Sequence, residues 1–193
     1  MKGLENLQRY VTAYAAINPS ESDDLQLITD YLNNNAMDTA IDRKNFNGHI
    51  TTSAFIVNSG RTHLLLLHHK SLNRWLQPGG HAETTDESLL ASALREASEE
   101  TGIPTKHLTN LPLTSDPDLP FDIDSHHIPA NDRKLEPGHY HHDLRYLFVY
   151  AGDGAHHFNT EESTGMQWVN LTDLYTDITF ASVSLKIANF LAK

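Results

Sequence analysis

The hydrophobic pattern changes period along the chain. In the first 40 residues, Leu4, Leu7, Val11 and Tyr14 recur at helical spacing, and Asn18-Pro19 ends the run. Leu25, Ile28 and Leu32 carry a second helix to the Asn33-Asn34-Asn35 stop, with Ser20 as its expected cap and Asp23 at its third position. These residues read as a helical extension over 1–40, a lid or a dimer element. His49 to Val57 is rich in Thr, Ile, Phe and Val and predicts a strand. The Asn58-Ser59-Gly60 turn leads to a second strand, His63 to Leu67. A short strand is expected over Arg74 to Gln77, ahead of Pro78-Gly79-Gly80. Helical period returns from about Asp86 to Thr101, and Gly102 and Pro104 stop it. Residues 112–138 hold five prolines and predict a long loop with one short strand, Phe121 to Ile128. Tyr140 to Tyr150 is the strongest strand signal, turned by Gly152-Asp153-Gly154. Met166 to Val169 predicts another strand, Leu171 to Tyr175 a short helix and Phe180 to Leu191 a closing helix. Strands and helices mix without a regular βαβ repeat. The fold class expected is therefore α/β in the α+β sense, a mixed sheet with helices on its faces.

Composition narrows the function. The 193 residues suit one domain, and 39% apolar with 20% charged residues excludes a disordered chain. With 0 cysteines there is no disulfide, thiolate metal site or cysteine nucleophile. No apolar run approaches the roughly 20 residues that span a bilayer, and the N-terminus lacks an apolar signal core. A cytoplasmic protein without a membrane partner is expected. Fourteen Lys and Arg against 25 Asp and Glu give a net charge of −11, which argues against duplex nucleic acid. An anionic substrate would need a divalent cation to offset the repulsion. The 13 histidines include the pairs His68-His69, His126-His127, His141-His142 and His156-His157, which suit solvated loops and strand ends or, alternatively, a transition-metal site.

The segment Gly79-Gly80-His81-Ala82-Glu83, followed by Arg95-Glu96-Ala97-Ser98-Glu99-Glu100-Thr101-Gly102-Ile103, carries the candidate chemistry. At about 100° per residue, Leu89, Leu90, Ala93, Leu94 and Ala97 form one apolar arc of about 140°. Glu99 falls near the solvated side, Glu96 at the edge of the arc and Glu100 inside it. A core-facing carboxylate is costly without compensation, Glu96 and Glu100 repel as i and i+4, and both lie toward the negative end of the helix dipole. Hard dications on carboxylate oxygens relieve all three penalties, magnesium above all when phosphate is the other ligand. An acidic surface helix is the competing explanation.

These residues resemble the Nudix box, G-x5-E-x7-R-E-U-x-E-E-x-G-U, where U is apolar. Glu87 to Arg95 keeps the seven-residue interval, and Arg95 to Ile103 matches every fixed position of the second half. The departure is six residues, not five, between Gly80 and Glu87, which leaves Thr84 and Glu87 open to a plain capping-box role. The resemblance covers about residues 45–193 as the catalytic domain. It implies a mixed sheet between helices and magnesium, or manganese, on Glu96, Glu99, Glu100 and the Gly79 carbonyl. It also implies that Arg95 orients box glutamates, and that a phosphoanhydride is hydrolysed in a nucleoside diphosphate linked to a group X. The general base is Glu99 or a later-loop glutamate, Glu161 or Glu162. A non-catalytic nucleotide-binding regulator of the same fold is the alternative. The family's isomerase branch, which needs a catalytic cysteine, is excluded.

Substrate contacts are expected from Trp75, just before the box, and from His81. On the strand His139-Tyr140-His141-His142-Asp143-Leu144-Arg145, residues 139, 141, 143 and 145 share one face. That face reads as substrate-binding rather than as a structural metal site, with His141 and Arg145 as its candidates and a structural Asp143–Arg145 pair as the alternative. A homodimer is a possible assembly.

Overall fold

A computed structural model describes residues 4–36, 39–132, 135–152, 154 and 156–193. Its elements are α1 Leu7–Ile17, α2 Gln26–Asn34, β1 His49–Val57, β2 His63–His69, β3 Arg74–Leu76, β4 Gly79–His81, α3 Leu89–Thr101, β5 Leu108–Asn110, β6 Asp122–Ile128, β7 His139–Tyr150, β8 Ser163–Asn170 and α4 Ala181–Leu191. A 3₁₀ turn over Leu171–Thr176 replaces the short helix expected there. Asp153 of the expected Gly152-Asp153-Gly154 turn lies outside the described residues.

The strands form one sheet in the order β3-β2-β1-β7-β5, with β4 also on β1, β6 on β7 and β8 on β2. β1 and β7 run parallel over nine residue pairs, His49↔His141 to Val57↔Val149, and the other pairings are antiparallel. A strand with cover on both faces reads as continuously apolar. β1 has all nine residues buried for that reason. Ile50, Ala54 and Ile56 face a core shared with Leu89, Ala93 and Ala97 of α3. Phe55 and Val57 face the second core, with Val183 and Ile187 of α4.

The N-terminal helices do not stand apart. Leu7, Tyr10, Val11 and Tyr14 of α1, and Ile28, Tyr31 and Leu32 of α2, share the α3-side core with Ile50 and Tyr146. The sequence shows their apolar stripes but not what the stripes pack against. The second helix also starts later than expected. Pro19–Glu21 is a 3₁₀ turn, and α2 begins at Gln26 without a side-chain cap, so Ser20 caps nothing there. The Tyr14 hydroxyl, wholly buried, lies among Glu21, Asp122 and Lys186, which ties α1 to β6 and α4. No helix among the described residues is long and apolar enough to cross a membrane.

Candidate active site

β4 brings the glycine pair against α3. It pairs with β1 through Thr51↔His81, Thr52↔Gly80 and Ser53↔Gly79. A Cβ on Gly79 would lie 2.4 Å from Ser53 Oγ and 2.7 Å from the Thr52 carbonyl oxygen, so only glycine fits beside β1. A Cβ on Gly80 would lie 2.6–2.8 Å from the Glu96 carboxylate. The second glycine is thus the seat of a box glutamate.

The helix starts later than the sequence suggests. Ser88 is its cap, accepting the Ala91 N–H at 3.1 Å, and the first helical residue is Leu89. This corrects the expected start at Asp86 and removes the Thr84–Glu87 capping box. Glu87 lies before the helix and is exposed. The extra residue in the box lengthens this approach. At the other end Gly102 takes a left-handed φ of 69° and donates to the Ser98 carbonyl at 2.9 Å, a regular helix stop.

Arg95 is the hub of the site. It donates from Nε and Nη2 to both oxygens of Asp86 at 2.8 and 3.0 Å, from Nη2 to the His81 carbonyl at 3.0 Å, and from Nη1 to Glu96 at 2.9 Å and Glu99 at 3.1 Å. A planar guanidinium with five donors suits this fan of acceptors. Asp86 is the partner that sequence reasoning missed. Burial works to raise its carboxyl pKa, but hydrogen bonds from Arg95, the Glu83 N–H and Ser92 hold it below the usual range.

The glutamates crowd at the glycine pair. Glu100 is 8% exposed and accepts the Gly79 N–H at 2.9 Å. Desolvation, opposed by that hydrogen bond and reinforced by Glu162 and Glu96, pushes its carboxyl up to about 8. Glu96 is also raised, first by burial and then by Glu99 and Glu162, against the pull of Arg95. The Glu99 side chain is 57% exposed. Glu162 therefore joins Glu96 and Glu100 from the loop before β8. One guanidinium serves this group of carboxylates, and Asp86 takes two of its bonds.

On the other face of β4 the side chains are imidazoles. His49 and His81 meet Nε2 to Nε2 at 3.1 Å, and His139 and His141 at 3.3 Å. The His49 and His141 ring centroids are 4.6 Å apart. Burial lowers the His49 pKa, and burial with neighbouring imidazoles brings His141 to about 2. The sequence pairs do not make this cluster. Neighbours on a strand face opposite ways, so His142 turns inward beside Tyr31, where burial brings it to about 4.

The expected His141–Asp143–Arg145 constellation is divided. Asp143 is buried and accepts from Thr51 Oγ1 at 3.1 Å and Ser53 Oγ at 2.6 Å. Arg145 donates from Nε to Asp122 at 2.6 Å, and its Nη2 lies 3.7 Å from Asp124. Beyond it a cleft of about 440 Å³ is lined by Asp122, Asp124, Arg145, Glu21 and Asp24 among others. Trp75 is half-buried, stacked edge-on to His68, and would be 3.1 Å from a Cβ on Gly165. That places its ring near the start of β8, close in sequence to Glu162. Glu161 contributes no contact to the glutamate group among the described residues.

Comparison with known proteins agrees with this architecture. A probable DHNTP pyrophosphohydrolase of Lactococcus lactis is 34% identical over 98 residues, 51% of this chain and 52% of that protein. The match therefore spans about half the length of the curated relative. The C. elegans Ap4A hydrolase binary complex superposes with a TM-score of 0.57 at 20% identity, covering 74% of this chain and 97% of the other. The E. coli dihydroneopterin triphosphate pyrophosphohydrolase gives 0.56 at 17% identity, covering 73% and 93%. The NUDIX domain model matches residues 48–189, from the start of β1 into α4. A match over most of the chain, on a sheet that seats a glutamate helix against a glycine pair, makes this chain a member of the NUDIX domain family.

Proposed function

We propose that the protein is a magnesium-dependent hydrolase of a phosphoanhydride bond in a nucleoside diphosphate linked to a second group. The observation that carries this reading is the state of Glu100. It is buried, its carboxyl is raised to about 8, and two further glutamates face it, an arrangement that asks for a cation.

The residues fit a hard dication. Glu96, Glu99, Glu100 and the Gly79 carbonyl would hold magnesium or manganese through oxygen alone. When bound, such an ion neutralises charge developing on the transferred phosphoryl group and lowers the pKa of an attacking water.

The chain supplies positioning and proton transfer. Asp86 fixes the Arg95 guanidinium, and Arg95 in turn holds Glu96 and Glu99. Water attacks a phosphorus of the anhydride, the bridging P–O bond breaks, and the leaving phosphate departs with its oxygen. The water proton goes to a carboxylate. Glu162 is favoured over Glu99 for this, because Glu99 is held by Arg95. His81 and His141, across β4 from the carboxylates, would meet the far group of the substrate, and Trp75, beside His68 and Gly165, offers a base-stacking surface. Arg145 acts at one remove by holding Asp122 on β6. The catalytic unit is residues 45–193. Residues 1–40 complete its core, and the protein works in the cytoplasm.

The test is a phosphate-release screen of the full chain with nucleotide sugars, ADP-ribose, NADH, oxidised nucleotides, Ap4A and dihydroneopterin triphosphate. Release with magnesium and none after chelation is expected from one class. Tight binding without release from any compound would favour the regulator reading instead.

A further inference from the structure

We propose that His49, His81 and His141 form a binding site for one transition-metal dication of the zinc class, on the face of β4 opposite the carboxylates. One ring nitrogen from each lies within 4.8 Å of the other two. Three strands converge to make this point. His49 opens β1, His81 closes β4, and His141 sits on β7 directly across from His49.

The spacing matches a shared ion. Two imidazole nitrogens on one tetrahedral zinc, each at about 2.0–2.1 Å from the metal, lie about 3.3 Å apart. His49 Nε2 and His81 Nε2 meet in a hydrogen bond at 3.1 Å, close to the separation that two ligands of one ion adopt. One ligand, His49, is anchored as metal-bound histidines are, with its far ring nitrogen against a backbone carbonyl. His49 Nδ1 faces the Asn45 carbonyl at 3.4 Å, which suits an Nδ1–H, and its Nε2 faces His81 in the cluster. His139 Nδ1 faces the Pro137 carbonyl at 2.9 Å, and its Nε2 supports His141 at 3.3 Å.

The donor set selects the ion. The nearby carboxylates are engaged elsewhere, Asp143 by Thr51 and Ser53, and Asp124 by His126 at 2.7 Å. Three imidazoles without a carboxylate suit zinc, cobalt, nickel or copper and disfavour magnesium. Four glutamates on the other side of the same strand have the reverse preference. Three protein ligands also leave a fourth position for water or a substrate oxygen. Arg95 bonds the His81 carbonyl at 3.0 Å, so the two ion sites share β4. The proposal does not depend on the hydrolase reading, because it is read from metal binding alone.

The experiment uses the full chain without a polyhistidine tag, stripped with chelator and titrated with cobalt(II) and then zinc(II). One equivalent of cobalt should bind with the intense visible absorption of a tetrahedral site, and zinc should displace it. His49→Gln and His141→Gln should each weaken binding at least 100-fold, and His139→Gln, which removes a supporting bond, about tenfold. His63→Gln on β2 and Glu96→Gln in the box should leave it unchanged. If His49→Gln fails to fold, the half-exposed His81→Gln carries the same expectation. No stoichiometric cobalt in the wild type, or binding that survives the histidine variants and disappears with Glu96→Gln, would overturn the proposal. Cobalt binding in a protein that hydrolyses none of the screened compounds would keep this proposal and remove the hydrolase reading.

Discussion

The two faces of β4 solve the same problem with opposite chemistry. On the α3 side, glutamates crowd around Gly79 and Gly80, and burial raises the carboxyls of Glu96 and Glu100. On the other side imidazoles crowd around His81, and burial lowers His49 and His141. Each group gathers side chains of one kind within contact of one another. The difference is in the atoms offered, oxygen on one face and nitrogen on the other. A three-residue strand with glycine, glycine and histidine can thus separate a hard-cation site from one suited to a borderline ion of the zinc class. It can do so because alternate residues of a strand face opposite ways.

Breaking the oxygen face should have the largest effect. Glu96→Gln keeps the shape and removes a charge at the Gly80 seat, and turnover should fall about 100-fold or more, on the order of 3 kcal/mol of transition-state stabilisation. Steady-state kinetics at saturating magnesium check this, and an unchanged kcat would detach Glu96 from the reaction. Asp86→Asn tests the support behind that face. It weakens two charge-assisted bonds to Arg95 and should cost about 2 kcal/mol of stability with about a tenfold loss in kcat. Chemical denaturation beside kinetics separates the two effects.

A smaller effect sharpens the electrostatic contrast. The Glu100 carboxyl is raised from 4.5 to about 8, so the folded protein binds this proton more tightly than the unfolded chain. Its contribution to metal-free stability is complete below about pH 4.5 and is lost as pH rises through about 8, at about 1 kcal/mol per unit in the upper part of that range. His141 has the opposite sign. Its folded value of about 2 lies below the ordinary 6.5, so its contribution is lost as pH falls below about 6.5. The difference in metal-free stability between wild type and Glu100→Gln, measured from pH 7 to 8, should follow the glutamate alone. A pH-independent difference would mean that Glu100 is already ionised in the fold.

The smallest effects concern the helix start. Ser88→Ala should lose about 1 kcal/mol because it removes the cap, with turnover unchanged. Thr84→Ala and Glu87→Gln should each stay within about 0.5 kcal/mol of wild type, since both residues precede the helix. A larger loss at Thr84 than at Ser88, by thermal denaturation, would restore the capping box.

Much of the oxygen face was legible in the sequence. Arg95, Glu96 and Glu100 lie within one helix, so helical geometry alone places them, and their cost in the apolar arc is a local signal. Asp86 was missed because a loop aspartate nine residues before Arg95 has no periodic relation to it. The nitrogen face was legible only in part. His141 carries the strand signal, but His49 enters through the parallel β1–β7 pairing, and no local pattern sets the register between segments so far apart. β4 itself has no strand propensity, and its conformation comes from pairing with β1. The N-terminal helices show the same limit. Their apolar stripes predict burial but cannot say that the partner is the sheet core rather than a second copy of the chain.

Glu100 is a buried carboxyl whose charged form a cation would stabilise. Glu100→Gln tests it when turnover and melting temperature, with and without magnesium, are measured on one preparation. Turnover should fall about 100-fold or more. Metal-free melting temperature should hold or rise, because the variant has no carboxyl whose ionisation is opposed first by burial and then by Glu162 and Glu96. The gain on adding magnesium should shrink, since preferential binding to the folded state is its source. Wild-type turnover in this variant, or a magnesium gain equal to that of the wild type, would contradict the assignment.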